Sequence, residues 1–271
     1  MKHLGFAAAL VAGLVVTAGS GPHAQPQTGL DRVSHILVLY MENRSFDNVL
    51  GEFPGANGLR NAGDAAVQRD RSGQPYAVLP PAKGPFHVRA NPDPLYGIES
   101  LDDLPNRPFR TVGIRPGVTA STHTRDLIHA FYKSGQLPPV SFYKPIGVLN
   151  QHPGYANLVP GDEEVGRIVR LMEESPMKDS FAVVITYDEN GGLWDHAAPP
   201  SGPKAGGRAD FFGPGSRVPT IVASPLVQNG RVDHTEFETT SILRLIAERH
   251  RLAPLPSARF GAVNSLAELF R

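Results

Sequence analysis

Acidic and amide side chains recur in one short pattern at two places in this 271-residue chain. The pattern Tyr-x-Glu-Asn occupies residues 40–43 and again residues 187–190. Carboxylates held close together repel one another unless a proton or a cation lies between them. Oxygen ligands suit Ca²⁺, Mg²⁺ or Mn²⁺ better than Zn²⁺, which normally recruits His or Cys. The sequence therefore predicts one divalent metal ion bound by four residues: Glu42, Asn43, Asp188 and Glu189.

The elements that must position these ligands are two strands. Each copy of the pattern ends an apolar run, at 36–40 and at 181–186, of the kind that forms a strand buried on both faces. Open α/β sheets build their sites just past the carboxyl ends of parallel strands. Further elements are expected at the following places: helices at 161–175 (with Asp162 as N-cap), 238–249 and 264–270, and a strand at 217–224. Helices that alternate with buried strands predict an α/β, three-layer αβα fold with a largely parallel sheet.

The polar residues around both patterns have structural alternatives. Asp195 and His196 follow the flexible pair Gly191-Gly192, which can turn the chain back and bring them beside the strand end as substrate-binding groups. The alternative is a glycine turn with solvated acidic residues. At 42–47 the alternative is a strand-to-helix turn that Asn43 or Ser45 caps.

Two histidines are candidates for catalysis. His152 or His129 could donate a proton to a leaving oxygen or bind a phosphate, because imidazole titrates near neutral pH. The alternatives are a loop residue before Pro153 and a helix-surface residue, respectively. His152 or His196 could also enter the metal shell, so the identity of the metal stays open.

Composition narrows the functional classes. Residues 1–24 combine Lys2 with a short apolar stretch and small residues, which predicts a secretory signal peptide and a periplasmic or secreted protein. Removing them would leave 25 basic and 26 acidic residues, so nucleic acid is not an expected partner and no integral membrane segment remains. The absence of Cys excludes thiol catalysis. Residues 25–271 fit one domain.

Several long motifs resemble the bacterial phosphoesterase family of the alkaline phosphatase superfamily. The similar segments are LYMENRSFDNVLGEFPGANGL (39–59), SFYKPIGVLNQHPGYANLVPGD (141–162), VVITYDENGGLWDHAAPP (183–200) and VDHTEFETTSILRLIAERH (232–250). The family contains secreted acid phosphatases and non-haemolytic phospholipases C, and the first segment is closer to the acid phosphatases. The resemblance implies a metal-dependent hydrolase of a small phosphate monoester or, alternatively, of a phospholipid headgroup. It implies the same four metal ligands, with His152 and His129 at the phosphoryl group, and a metal-activated hydroxyl that attacks phosphorus.

The chain departs from the family pattern in one respect. In the family, a long middle segment carries the nucleophilic Ser between the equivalents of residues 126–132 and 134–145. Here these flanks join at Lys133, and Ser45 belongs to a different motif. The resemblance therefore implies an incomplete fold with the family segment absent near residue 133. A second hypothesis follows: the chain is a catalytically silent remnant that binds a metal or an anion.

Overall fold

The computed structural model describes residues 29–78, 133–153, 156–200, 214–256 and 261–270. The expected signal peptide and His129 lie outside these residues, and their predictions stay predictions. Within the described ranges, no helix is both long enough and apolar enough to cross a membrane.

Four strands form one sheet in the described part of the chain: β1 (His35–Met41), β2 (Val140–Tyr143), β3 (Phe181–Tyr187) and β4 (Thr220–Ala223). Their order is β2-β1-β3-β4. The first three pair in parallel, and β4 pairs antiparallel with β3. The predicted largely parallel sheet is confirmed.

In the described ranges, the structure has three α-helices with complete bounds and several short 3-10 helices. The helices are α1 (Phe46–Leu50), α2 (Leu158–Glu174) and α3 (Thr239–His250). The 3-10 helices are Leu30–Arg32, Leu59–Asn61, Gly63–Ala66, Gly147–Leu149 and Leu266–Phe270. The last of these lies within the helix predicted at 264–270 and has 3-10 geometry.

Side chains of β1 alternate between two hydrophobic cores, as the period of a strand requires. Leu37, Leu39 and Met41 pack with Ile168 and Met172 of α2 on one face of the sheet. On the other face, Ile36 and Val38 pack with Ile242 and Leu245 of α3 and with the C-terminal 3-10 helix. Helices therefore cover both faces of the sheet, which gives the expected three layers.

Helix α2 begins earlier than the sequence predicts. Its N-cap is Asn157, whose side chain accepts a hydrogen bond from the backbone N–H of Val159, so the prediction of Asp162 as N-cap is wrong. Pro160 falls in the first turn, where backbone N–H groups have no intrahelical partner and a proline removes nothing. Glu164 of this helix is buried and accepts hydrogen bonds from Arg167 and from the hydroxyl of Tyr143.

The two edge strands differ from what the sequence predicts. β2 was not predicted, because it has only four residues and most of its side chains are half-buried or exposed, which leaves no apolar run. β4 is shorter than the predicted 217–224, since Arg217 turns its side chain towards the loops beyond the sheet. Both edges of the described sheet are thus shorter than its centre.

Gly161 of α2 gives a test of how tightly the helix packs on the loop at residues 150–152. A Cβ at this position would lie 2.2 Å from Cγ of Gln151 and 3.0 Å from the carbonyl oxygen of Leu149. Gln151 is buried and its side chain is hydrogen-bonded, so it cannot move away. We expect Gly161→Ala to lower the free energy of unfolding by about 1–3 kcal/mol, despite the better helix propensity of alanine.

The matched control is Gly166→Ala in the same helix. A Cβ there meets only the flexible end of the Arg170 side chain, at 3.2 Å. This variant should gain up to about 1 kcal/mol from helix propensity alone. Urea denaturation measures both, and a gain in stability for Gly161→Ala would contradict the described packing.

Candidate metal centre

The register of β1 and β3 places the two acidic motifs side by side. Met41 pairs with Tyr187, so the next residues, Glu42 and Asp188, leave neighbouring strands at the same edge of the sheet. The backbone N–H of Asp188 donates to the carbonyl of Met41 at 3.2 Å, which continues the pairing by one residue. The N–H of Glu42 donates to the carbonyl of Asn150 at 2.9 Å and ties in a third segment.

Each of these carboxylates is held through one oxygen by uncharged donors. Asn150 Nδ2 donates to Glu42 Oε2 at 2.7 Å. The backbone N–H groups of Asn43 and Glu189 donate to Asp188 Oδ1 at 3.0 and 2.8 Å. The other oxygens, Glu42 Oε1 and Asp188 Oδ2, both face the side chain of Lys144. The carboxylates thus present one oxygen each to a common cation.

That cation is the ammonium group of Lys144, the residue directly after β2. Its Nζ lies 2.5 Å from Glu42 Oε1 and 3.5 Å from Asp188 Oδ2. The hydrogen bond that Lys144 donates to Glu42 raises the pKa of Lys144 above its ordinary value, which keeps the group charged. Carboxylate oxygens are the ligands that Ca²⁺ and Mg²⁺ prefer. The donor set therefore fits the metal that the family resemblance implies.

The backbone of the site is held in an unusual conformation. Asn43 has a φ of 60°, in the left-handed region that asparagine tolerates better than most residues. Gly191, with a φ of 65°, packs directly on it: a Cβ at residue 191 would lie 2.7 Å from the carbonyl oxygen of Asn43. Only glycine permits this approach, so the two motif loops are fitted to one another.

The fourth predicted ligand, Glu189, is hydrogen-bonded within its own loop. Its Oε2 accepts a hydrogen bond from the backbone N–H of Gly191 at 2.7 Å, and the residue is exposed. The structure thus brings Glu42 and Asp188 together around one cation, and it places Asn43 against Asp188 through its backbone. Glu189 lies at the rim of this group.

His152 is connected to the same site through Asn150. Its backbone N–H donates to Asn150 Oδ1 at 2.9 Å, while Nδ2 of the same asparagine holds Glu42. The ring nitrogen Nδ1 lies 2.6 Å from the carbonyl oxygen of Pro153. A carbonyl can only accept, so this bond places the proton on Nδ1 and the lone pair of the neutral ring on Nε2.

The buried residue Gln151 stabilises the loop at residues 150–152. Gln151, with a φ of 70°, accepts a hydrogen bond from the Tyr187 hydroxyl, and its backbone carbonyl accepts from Arg44 Nε at 2.8 Å. Burial lowers the pKa of Arg44 to about 10 and raises the pKa of Tyr187. Both groups stay protonated near neutral pH, so their hydrogen bonds to Gln151 persist there.

A second cluster lies beside the first, where the 190–197 loop meets the start of α1. Ligand atoms of Asp47, Asp195 and His196 lie within 4.8 Å of one another, which makes them a candidate metal-binding group. Arg217 already supplies positive charge there, with Nε 2.8 Å from Asp195 Oδ1 and Nη2 3.3 Å from Asp47 Oδ1. A metal would have to displace this guanidinium, which also stacks on the Phe46 ring.

The second cluster uses its polar atoms to hold the loop. His196 Nδ1 lies 2.7 Å from Asp47 Oδ2, and its Nε2 lies 3.3 Å from Asn57 Oδ1. Ser45 caps α1 by accepting from Asn48 N–H, and its hydroxyl donates to the carbonyl of Trp194 at 2.7 Å. Ser45 is fully buried, so its hydroxyl is committed to structure.

Three residues of this region were not identified from the sequence. Lys144 could have been found from its place directly after a strand, had β2 been recognised. Asn150 lies in the same short motif as His152 and binds Glu42. Arg217 opens a segment that was predicted as strand, and nothing local indicates that its side chain bonds across to residues 47 and 195.

Comparison with known protein families shows which family the chain belongs to. The phosphoesterase family matches residues 33–134 and 102–253, which together include every described residue of the site. The chain belongs to the phosphoesterase family. The predicted family is therefore confirmed, and the mostly parallel sheet with helices on both faces agrees with an α/β phosphoesterase fold.

Several phospholipases C are similar to this phosphoesterase over about half of its length. Phospholipase C B of Mycobacterium tuberculosis is 31% identical over 142 residues, which cover 46% of this chain and 27% of the relative. Non-hemolytic phospholipase C of Burkholderia pseudomallei is 32% identical over 153 residues, covering 49% and 22%. Non-specific phospholipase C6 of Arabidopsis thaliana is 30% identical over 144 residues, covering 44% and 27%. The matched region thus spans about a quarter of these relatives.

The second cluster yields a stability prediction for this phosphoesterase. Side chains of Asp47 and Asp195 are only 2% and 1% exposed, so they depend on Arg217 for neutralisation. Removing one partner of a buried ion pair leaves an uncompensated charge. We expect Arg217→Met to lower the free energy of unfolding by about 3 kcal/mol. The fluorescence of Trp194, the single tryptophan, reports on the adjoining loop during urea denaturation.

Arg231→Met serves as the control. Arg231 pairs with Asp233 at 2.6 Å, but its side chain is 49% exposed. An exposed pair of this kind contributes less than about 1 kcal/mol. Equal, small losses for both arginine variants would show that the second cluster does not hold the loop.

Proposed function

We propose that this protein is a metal-dependent phosphoric ester hydrolase whose metal position lies between Glu42 and Asp188. The observation that carries the proposal is the convergence of these two carboxylates, from neighbouring parallel strands, on one cation. Membership of the phosphoesterase family and similarity to phospholipases C support the reaction class. Ca²⁺, Mg²⁺ or Mn²⁺ suits the oxygen donors best.

Each residue of the first site has a role in this proposal. Glu42, Asn43, Asp188 and Glu189 bind the metal, and Asn150 orients Glu42 through its amide. A bound divalent cation would lower the pKa of an attacking hydroxyl and neutralise charge on the phosphoryl oxygens. His152 holds its proton on Nδ1, so its Nε2 can exchange a proton with a leaving oxygen or, when protonated, bind the phosphoryl group.

We assign Asp195 and His196 a positioning role. They were expected to bind substrate, but their polar atoms bond to Asp47, Asn57 and Arg217. These contacts hold the loop that contains Gly191, and Gly191 in turn packs on Asn43. The second cluster would therefore act on the metal ligands indirectly, by fixing the backbone that carries them.

Two substrate classes are compatible with this proposal. The FPGANGL segment at 53–59 favours a small phosphate monoester, as in the acid phosphatases that this part of the chain resembles. The names of the similar proteins favour a phospholipid headgroup. We propose the monoester as the first substrate to test and the phospholipid as the alternative.

A second candidate function is cation or anion binding without turnover. Two observations favour it: the cation position holds the ammonium of Lys144, and the serine of the first motif is committed to capping α1. The family match also consists of two overlapping stretches, 33–134 and 102–253, and we propose that the family's middle segment is absent near residue 133. That segment carries the nucleophile in the family that the chain resembles.

Asp188→Asn tests the hydrolase proposal. It preserves the size of the side chain but removes one of the two charges that face the cation. We expect hydrolysis of p-nitrophenyl phosphate, measured with added Ca²⁺, Mg²⁺ or Mn²⁺, to fall at least about 100-fold. Asp179→Asn is the control, because Asp179 is exposed and precedes the opposite end of β3. The same assay with p-nitrophenyl phosphorylcholine distinguishes a monoesterase from a phospholipase C.

The outcomes separate the two functions. Turnover that depends on Asp188 and on added metal supports the hydrolase. Binding of Mn²⁺ without turnover of either substrate would replace it with the non-catalytic function. Turnover that Asp188→Asn leaves intact would move the reaction away from this site altogether.

We also propose that the protein is exported, on the basis of its basic and apolar first 24 residues. The expected result is a chain in the periplasm or medium whose N-terminus lies between about residue 21 and residue 25. N-terminal sequencing of the fractionated protein checks it. Recovery of full-length chain from the cytoplasm alone would contradict export.

A further inference from the structure

We propose that Lys144 is a built-in competitor for the divalent cation, so that a metal binds Glu42 and Asp188 only after the lysine ammonium has left their common position. This inference rests on the proposed function, because it assumes a metal between these two carboxylates. It adds that a side chain of the protein sets how tightly the metal binds. Lys144 is thus a determinant of metal affinity rather than a ligand.

The distances make simultaneous occupancy impossible. Lys144 Nζ lies 2.5 Å from Glu42 Oε1 and 3.5 Å from Asp188 Oδ2. Ligand oxygens lie about 2.0–2.6 Å from Mg²⁺ or Ca²⁺. A divalent ion bound to the same two oxygens would overlap the ammonium group. The two positive charges would also repel one another strongly at such separations.

The structure indicates which partner moves when a metal arrives. Glu42 Oε2 is held by Asn150, and Asp188 Oδ1 is held by two backbone N–H groups, so both carboxylates are fixed by uncharged donors. Lys144 instead reaches the site on a flexible four-carbon stem, and its side chain is 49% exposed. The lysine can therefore swing into solvent while the carboxylates keep their positions.

Competition between Lys144 and the metal predicts the direction in which metal affinity changes when the lysine is removed. Removing the ammonium takes away a positive charge that lies against both carboxylates, which is unfavourable until a metal binds. Lys144→Met keeps most of the length and apolar character of the stem but cannot compete. We expect its dissociation constant for Mn²⁺ to fall about tenfold, since repulsion at close range and the lost ion pair act in the same direction.

The experiment is a Mn²⁺ titration of the full-length protein in which electron paramagnetic resonance measures free Mn²⁺. This readout does not depend on turnover. Lys178→Met is the matched control, because it removes the same charge from an exposed lysine that precedes the opposite end of β3. Lys144→Arg retains a positive charge at the site and should not tighten binding. Glu42→Gln locates the bound ion, and circular dichroism verifies the fold of each variant.

The results distinguish failure of the inference from failure of the proposed function. Tighter binding in Lys144→Met alone, lost when Glu42→Gln is added, supports the competitor role. Binding by Lys144→Met but not by the wild type supports it in its strongest form. Equal affinities for wild type, Lys144→Met and Lys178→Met would overturn the competitor role but leave the metal site in place. No binding by any variant, or binding that Glu42→Gln does not affect, would overturn the metal position and the inference together.

Discussion

The parallel pairing of β1 with β3 is the constraint on which the rest of this structure depends. Both strands are buried on their two faces, so the apolar residues determine which side chains face which core. A shift of one residue would exchange the faces of a whole strand. The observed register, with Met41 opposite Tyr187, leaves Glu42 and Asp188 side by side at the strand ends. Burial of apolar side chains thus forces two negative charges together.

The polar groups around Glu42 and Asp188 reduce the repulsion between their two carboxylates. Uncharged donors hold one oxygen of each carboxylate, and Lys144 neutralises the other oxygens. The loop that contains Asn150 is itself held in place, because Arg44 and Tyr187 donate hydrogen bonds to Gln151. Hydrogen bonds to buried or partly buried groups prevent the desolvation cost that unpaired polar atoms would incur.

The second cluster also pairs two carboxylates with one cation of the chain, but it differs from the first site in burial and in the type of cation. Asp47 and Asp195 are more buried than the carboxylates of the first site, and their cation is a guanidinium. A planar guanidinium binds two carboxylates in a defined geometry, and it never loses its charge near neutral pH. Lysine is a mobile point charge on a long stem. One site is therefore built to stay closed, and the other is built around a cation that can be exchanged.

The sequence predicted those parts of the site that follow from local patterns. Buried apolar runs located β1 and β3, and the polar residues after them located Glu42 and Asp188. It could not predict Lys144, because β2 is short and lacks an apolar run, nor the cross-chain bonds of Arg217. Those contacts depend on the order and register of the strands, and local periodicity in the sequence does not specify either. The protein partners of Asp195 and His196 come from distant parts of the chain as well, and their predicted role in substrate binding stays a prediction.

The lysine at the first site also bears on how this protein can fold. A site made only of carboxylates would be repulsive without metal, and its formation would be coupled to metal binding. With Lys144 in place, one positive charge of the chain itself offsets part of the negative charge of the two strand ends, which lowers the repulsion that pairing of β1 with β3 would otherwise meet. In the proposed competition, the same interaction would weaken metal binding by the free energy needed to release the lysine. If a metal binds as proposed, the internal cation stabilises the metal-free state at the expense of metal affinity.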